Sequence, residues 1–201
     1  ILLLKPTHVV GRKGATPSSI IDALRKKKIS THLFPAQNEN DIFKTISTIG
    51  KLFHHGSKAT ALIHQMKKDL NQLQAEINPR RSKPTVLAQI EEVPLMVAGK
   101  NTLIDRAIIL AGGKNAAADY SYYPKIQREM LYRLNPDIII ILSTKGQEYK
   151  FQQMKKHWKQ KNQVFIIDGD LLSRATTRWV NGIKQLSALI HSKGGNPASS
   201  N

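Results

Sequence analysis

Three tyrosines, Tyr120, Tyr122 and Tyr123, stand directly before Pro124. An aromatic face stacks on a flat ligand, and a tyrosinate oxygen is a ligand for ferric iron. The same spacing also suits a loop whose tyrosines pack over a helix end. The residues alone therefore leave both a ligand-binding and a purely structural interpretation open.

Three further side chains have chemistry that would suit an anionic or apolar ligand. Arg174 precedes the last predicted helix, and a guanidinium binds a carboxylate through two parallel hydrogen bonds. Lys100 is a compact positive charge in a predicted loop. Met96 offers an apolar face or a thioether, although methionine more often fills gaps in a core. The alternative for Arg174 is an ordinary surface arginine.

Residue types needed for several other kinds of site are missing from the sequence. The 201 residues include no cysteine, which excludes disulfides and thiolate metal sites. His54 and His55 are adjacent, and adjacent helical side chains diverge by about 100°, which makes a poor chelate. Residues 168–170 read as a turn that enters a helix. The sequence contains no glycine-rich phosphate loop, catalytic triad or carboxylate pair.

The charge is strongly positive, with 31 Lys and Arg against 14 Asp and Glu, a net of +17. Such an excess attracts polyanions, so a basic nucleic-acid-associated α/β protein is one hypothesis. The basic runs, however, lie at predicted helix ends and linkers, where cations suit the helix dipole. We favour solvated faces and expect no nucleic-acid partner.

The residue pattern over 7–34 predicts one β-α-β unit. Residues 7–10 and 29–34 have the β-branched, apolar character of strands, and Pro17 opens a helix that runs to Lys28. Two strands joined by a helical crossover are typical of a parallel sheet.

A long helical region follows, from Asp41 as the predicted N-cap to about residue 77, interrupted at residues 54–56. Its apolar residues recur at spacings of three, four and seven. At a rise of about 1.5 Å per residue, residues 57–77 would reach roughly 30 Å, enough to cross a domain. A linker is predicted over residues 78–84.

The α/β pattern then resumes. Strands are predicted at 85–90, 138–142 and 164–167, and helices at 102–110, 126–134, 147–156 and 179–191. Residues 138–142 are apolar on both faces, which indicates a buried parallel strand, and Gly112 with Gly113 forms a helix stop signal.

The element order predicts an α/β fold of two Rossmann-like lobes joined by one long helix, with the first lobe incomplete. The predicted units are a partial N-terminal lobe over 1–40, an interlobe helix over 41–78, a C-terminal lobe over 79–193 and a flexible tail over 194–201. Ligand is expected between the lobes, beyond the strand ends. The segment from Met96 to Asp119, a loop, a helix, a glycine pair and a second loop, is the predicted wall of that cleft.

Six phrases in chain order resemble the periplasmic binding proteins of ABC importers for iron complexes and cobalamin, most closely the haem-binding branch. The phrases are residues 1–29, 41–77, 94–102, 110–117, 134–139 and 170–174. No single phrase is specific, but together they cover nearly the whole chain.

The resemblance implies a periplasmic substrate-binding component and not an enzyme. This component captures haem as a transported ligand, not as a catalytic cofactor, and delivers it to a permease in the inner membrane. A cobalamin- or ferric-siderophore-binding protein is the alternative within the family. The implied ligand-binding residues are Tyr122, Tyr123, Arg174, Met96 and Lys100, with Arg174 and Lys100 facing the propionates. The implied permease-docking residue is Glu129.

Two departures from the family pattern concern the iron ligand. The tyrosine that ligates iron in the haem branch belongs to a segment expected upstream of Ile1. Some relatives place a histidine just before the loop at 94–102, where this chain has Glu91, Glu92 and Val93. The resemblance therefore names no metal ligand within these residues.

Overall fold

The computed structural model describes residues 2–77, 82–143, 158 and 163–192. Its helices are α1 (Ser18–Lys26), α2 (Glu39–Leu52), α3 (Gly56–Glu76), α4 (Leu103–Leu110), α5 (Arg128–Leu134), α6 (Gly169–Ser173) and α7 (Trp179–His191). Its strands are β1 (His8–Arg12), β2 (Ser30–Phe34), β3 (Thr85–Glu92), β4 (Leu95–Val97), β5 (Lys114–Asn115), β6 (Ile138–Ser143) and β7 (Gln163–Asp168). The predicted helix at 147–156 and the predicted tail at 194–201 lie outside the described residues.

The N-terminal β-α-β prediction is confirmed. Strands β1 and β2 pair in parallel, with Val9 opposite Thr31 and Arg12 opposite Phe34. Helix α1 makes the crossover between them, and Leu24 is its buried residue. Because the strands are parallel, their carboxyl ends lie at the same edge of this small sheet.

The helical region at 41–78 consists of two helices, and the break between them falls at the interruption predicted for residues 54–56. Helix α2 ends at Leu52 and α3 starts at Gly56, with His54 in the left-handed region at φ 58°. The break falls where the apolar pattern is interrupted. A Cβ added at Gly50 would overlap the Cβ of Ala59, so this glycine permits the two helices to pack closely.

The N-cap of α2 differs from the prediction, because the N-cap residue is Asn38 and not Asp41. Asn38 is extended, and its side-chain oxygen accepts a hydrogen bond of 3.1 Å from the Asp41 backbone. The Asp41 carboxylate instead accepts a hydrogen bond of 2.9 Å from the backbone of Gln37. Both interactions satisfy N–H groups at the helix entrance that would otherwise have no partner.

The larger sheet has the order β4-β3-β6-β7, with β5 paired to β3. Strands β3, β6 and β7 are parallel, and β4 is antiparallel to β3. Ile138 to Ile141 of β6 are all buried, which confirms the prediction of a strand covered on both faces. Strand β4 lies inside the segment predicted as a loop, because a three-residue edge strand is too short to show a period.

One core joins the larger sheet to the helices around it. Ile104 and Ile108 of α4, together with Trp179 and Ile183 of α7, are buried against the sheet. Residues of α2 and α3, among them Ile42 and Met66, belong to the same core. The two helices between the α/β units therefore pack against the C-terminal unit, which contains the larger sheet, through apolar burial.

The predicted helix stops are confirmed at two places. Gly112, directly after the end of α4, adopts the left-handed conformation at φ 91°, and Asn135 does so at φ 38° as the C-cap of α5. Residues 168–170 enter α6, as expected, with the Asp168 carboxylate accepting a hydrogen bond of 2.9 Å from the Asp170 backbone. Among the described helices, none combines the length and apolar character needed to span a membrane.

Candidate functional site

A cleft of about 710 Å³ lies between the N-terminal unit and the C-terminal unit. The N-terminal unit, β1-α1-β2, contributes Arg12 at the end of β1, Lys13 to Ala15 after it, and Pro35 to Gln37 after β2. We call these residues the basic wall. The C-terminal unit contributes Asn101, Tyr122 and Tyr123, which we call the tyrosine wall. On its N-terminal side the cleft is thus at the carboxyl ends of the parallel strands β1 and β2, the edge at which open α/β sheets bind their ligands.

The tyrosine wall is built from two loops that pair with each other through the backbone. The Gly99 N–H donates to the Tyr122 carbonyl at 2.8 Å, the Lys100 N–H donates to Tyr120 at 2.7 Å, and the Tyr122 N–H donates to Lys100 at 2.8 Å. A Cβ added at Gly99 would overlap the Tyr120 carbonyl oxygen. Glycine at this position is therefore required for the two loops to approach.

Two residues of the tyrosine wall adopt a backbone conformation that is costly for an L residue. Asn101 has φ 65° and Tyr122 has φ 61°. Asparagine tolerates this region, but a tyrosine there costs about 1 kcal/mol. The paired loops hold Tyr122 in this conformation, and its side chain stays 55% exposed at the cleft.

Asn115 and Thr102 support the tyrosine wall from beneath. The buried Asn115 side chain donates to the Ala98 carbonyl at 3.1 Å and to the Asp105 carboxylate at 2.8 Å, and it accepts from the Ala117 backbone at 2.9 Å. Thr102, the N-cap of α4, accepts from the Asp105 N–H and donates to the Gly99 carbonyl. These bonds join both loops to the first turn of α4, so the segment from 96 to 119 forms one rigid support for the wall.

The first part of the basic wall is the turn between β1 and α1. The Lys13 N–H donates to the Phe34 carbonyl at 2.9 Å, which joins the ends of β1 and β2, and Gly14 takes the left-handed conformation at φ 81°. Sequence reasoning missed Arg12 and Lys13 as site residues. Their position could have identified them, because a basic pair at the end of a parallel strand lies at the edge of the sheet where ligands bind.

Of the five predicted ligand-binding residues, Tyr122 and Tyr123 line the cleft. Tyr123 is half-buried and packs against the main core, whereas Tyr122 is open to solvent. Lys100 pairs through its backbone within the tyrosine wall, next to Asn101, and its side chain is exposed. Met96 is half-buried in β4 and bridges to Lys125. Neither Lys100 nor Met96 is among the lining residues.

Arg174 stands outside this lining, at the C-terminal end of α6. Its guanidinium Nε lies 2.8 Å from the Asp170 carboxylate, and 62% of the side chain is exposed. The predicted docking residue, Glu129, is exposed in the first turn of α5. The ligand-binding role of Arg174 and the docking role of Glu129 stay predictions.

A bidentate ion pair, which the sequence did not predict, joins α2 and α4, the helices that follow the basic wall and Asn101 of the tyrosine wall. Arg106 of α4 donates to both carboxylate oxygens of Glu39, at 2.8 Å and 2.7 Å. Hydrogen bonding from Arg106 lowers the pKa of Glu39, and the same interaction raises the pKa of Arg106. Sixty-seven residues separate the partners, so no local pattern could have paired them.

Within the described ranges, no group of three or more His, Asp or Glu side chains could hold a metal ion. The tyrosine wall instead offers aromatic faces and phenolic oxygens, and the basic wall offers positive charge. Such a site suits a large ligand with an apolar surface and acidic groups.

A cleft between two α/β units is typical of a solute-binding protein of the two-lobed class. The chain belongs to the periplasmic binding protein family, whose model it matches over residues 1–171. The family consists of solute-binding proteins for transport, so the prediction that the chain is not an enzyme is confirmed.

Individual relatives agree with this family. The chain is similar to an uncharacterised ABC transporter substrate-binding lipoprotein of Bacillus subtilis, YvrC, with 27% identity over 95% of this chain and 64% of that protein. The chain thus spans just under two thirds of that relative. A vitamin B12-binding protein of Salmonella typhimurium is 25% identical over 92% of this chain and 70% of its own length.

The fold is that of solved relatives. The periplasmic heme-binding protein RhuT from Roseiflexus sp. RS-1 superposes with a TM-score of 0.82 and 21% identity, covering 94% of this chain and 77% of that one. This likeness confirms the predicted two-lobed α/β architecture. The boundaries proposed for the individual lobes stay predictions.

Proposed function

We propose that the chain is the substrate-binding component of an ABC importer of the haem, cobalamin and siderophore type, and that haem is its ligand. It captures the ligand between its two lobes in the periplasm and delivers it to a membrane permease. The observation that carries this proposal is the cleft between the basic wall and the tyrosine wall.

The dimensions and chemistry of the cleft support a flat, acidic ligand. A volume of about 710 Å³ lies within the range of small-molecule sites, about 300–1,000 Å³. Tyr122 and Tyr123 supply aromatic faces for stacking on a macrocycle. Arg12 and Lys13 supply cations for carboxylates, and haem has two propionates.

Haem is favoured over cobalamin because of the charge of the cleft. Among the lining residues that the structure describes, none is acidic and two are cationic. Propionates gain charge-assisted hydrogen bonds from such a wall. Cobalamin and a ferric siderophore are the alternatives, and both are tested alongside haem.

The test is a titration of the purified protein with haemin, followed by the Soret band, with parallel titrations of cyanocobalamin and a ferric hydroxamate. Binding of haemin at a one-to-one endpoint supports haem. A saturating signal with cyanocobalamin or the siderophore, without a Soret change on haemin addition, replaces haem with that ligand. The double variant Tyr122→Ala/Tyr123→Ala should weaken haemin binding. Tyr132→Ala, which removes an exposed tyrosine of α5 away from the cleft lining, is the control.

Delivery requires a docking contact with the permease, and we assign it to Glu129. An exposed carboxylate at the start of a helix is available to arginines of a membrane partner. Glu129→Lys should abolish importer-dependent haem uptake while leaving haemin affinity unchanged. Glu76→Lys, at an exposed site at the end of α3, is the control. Normal uptake with Glu129→Lys would remove Glu129 from the docking surface.

A further inference from the structure

The Glu39–Arg106 ion pair connects the elements that carry the two walls of the cleft. Two hydrogen bonds join the carboxylate to the guanidinium, and the Glu39 side chain is only 17% exposed. Arg106 is 35% exposed. We infer that this pair is a positioning device that sets the separation of the basic wall and the tyrosine wall, and thereby the affinity for ligand.

On the side of the basic wall, Glu39 directly follows the β2–α2 loop in the chain. The loop residue Gln37 donates its backbone N–H to the Asp41 carboxylate at 2.9 Å, and Asn38 caps the helix through the Asp41 N–H. Gln37 itself lines the cleft. The first turn of α2 and this part of the wall therefore move together.

On the second side, Arg106 is one helical turn from the tyrosine wall. Its backbone N–H donates to the Thr102 carbonyl at 3.1 Å, and Thr102 directly follows the cleft residue Asn101. Thr102 also donates to the Gly99 carbonyl, which belongs to the loop paired with Tyr122. A displacement of Arg106 would thus be transmitted to the loops of the tyrosine wall.

The geometry of the pair suits a positioning role. A bidentate guanidinium–carboxylate pair has a defined plane and direction, unlike the point contact of a lysine. Its partial burial protects it from screening by solvent and salt. The exposed pair Asp22–Arg25, with side chains 58% and 77% exposed, lies within α1 and provides a control that connects no two elements.

The inference rests on the proposed function for its effect on affinity, but the wall separation can be measured without ligand. The chain has no cysteine, so Ser19→Cys on α1 and Lys125→Cys next to the tyrosine wall accept spin labels selectively. Pulsed dipolar spectroscopy then reports the distance distribution between the two units. We expect a narrow distribution for the otherwise unchanged protein.

Glu39→Gln should broaden or shift this distribution and weaken haemin binding by about tenfold, within the range of coupling between residues in contact. Arg106→Lys, which keeps the charge without the fork, should have an intermediate effect. The exchange Glu39→Arg/Arg106→Glu should recover a narrow distribution in part, because an arginine in the first turn of α2 opposes the helix dipole. Asp22→Asn should change neither measurement.

A distance distribution that is the same in Glu39→Gln and in the parent protein would overturn the inference, whether or not haemin binds. The inference would also be overturned if the Glu39→Arg/Arg106→Glu variant folds but has a distance distribution as broad as that of the single variants. Absence of haemin binding in the parent protein would reject the proposed ligand alone, since the distance measurement still decides the positioning role.

Discussion

The backbone N–H of Tyr122 donates a hydrogen bond of 2.8 Å to the carbonyl of Lys100 while Tyr122 is in the left-handed region at φ 61°. The loop from 99 to 101 thus holds a tyrosine in a conformation that tyrosine on its own avoids. Strain of this kind is often found where a side chain must be presented to a ligand. The aromatic ring of Tyr122 lies at the cleft with 55% of the residue exposed.

The strain at Tyr122 predicts an unusual order of stabilities. Tyr122→Gly should be more stable than Tyr122→Ala by about 1 kcal/mol, because glycine alone adopts positive φ without cost. At Tyr123, where φ is ordinary, the order should be reversed. Urea unfolding of the four variants measures this difference. Both Tyr122 variants should bind haemin more weakly than the parent protein, and a Tyr122→Ala variant as stable as Tyr122→Gly would contradict the assigned strain.

Gly99→Ala should destabilise the protein by about 2 kcal/mol or more, because the added methyl group would overlap the Tyr120 carbonyl and force the two loops apart. Gly56→Ala is the matched control. A Cβ at Gly56 meets nothing within 4 Å, and this glycine starts α3, so alanine there should be neutral or slightly stabilising. Thermal unfolding compares the two variants. Equal melting temperatures would show that the two loops do not require glycine at position 99.

Asn115→Ala should cost about 3 kcal/mol, because it leaves the Ala98 carbonyl, the Asp105 carboxylate and the Ala117 N–H without this partner in a buried site. Asn71→Ala, on the exposed face of α3, should be close to neutral. Denaturant unfolding provides both values. A cost at Asn115 below that of an ordinary surface substitution would mean that the network does not support the wall.

The Glu39–Arg106 pair should make stability depend on acid pH. The pKa of Glu39 is lowered below its ordinary value of 4.5 by the hydrogen bond from Arg106. Its stabilising contribution is therefore complete above that value and is lost as the pH falls through the folded-state pKa. The difference in unfolding free energy between the parent protein and Glu39→Gln should be largest near neutral pH and should shrink below pH 4.5. A difference that is constant down to the acid transition would contradict the lowered pKa.

The basic wall predicts a charge-dependent contribution to ligand binding. If haem is the ligand as proposed, Arg12→Ser/Lys13→Ser should weaken haemin binding and reduce the dependence of affinity on salt, because two cations are removed from the cleft lining. Lys26→Ser/Lys27→Ser, at the end of α1, removes the same charge away from the cleft. Titrations at low and high ionic strength distinguish the two. An equal loss in both double variants would assign the effect to net charge instead of the wall.

Much of the secondary structure could be predicted because its determinants are local. The β-branched runs of β1 and β2, the apolar β6 and the glycine after α4 each express a preference of a few consecutive residues. The predicted interruption of the helical region at residues 54–56 is confirmed, since α2 ends at Leu52 and α3 starts at Gly56. A packing requirement between Gly50 and Ala59, nine residues apart, accompanies the change of direction at His54.

The candidate site could be predicted in part for the same reason. Tyr122 and Tyr123 were identifiable as an aromatic cluster in a loop, and they line the cleft. Arg12 and Lys13 lie in the opposite unit, and their relation to the tyrosines exists only after the units pack. Strand β4 and the Lys100–Ser121 bridge likewise depend on pairing between distant segments.

The sequence by itself determined the fold class, because the order of strands and helices follows from local preferences along the chain. The motif series resembles the periplasmic binding proteins, and the match to the family model over residues 1–171 shows that membership. The tertiary structure decided which side chains share a site. It brings Arg12 into the same cleft as Tyr123, places Glu39 against Arg106, and supports both loops on Asn115. These relations depend on burial and backbone pairing between residues far apart in sequence, which no local pattern specifies.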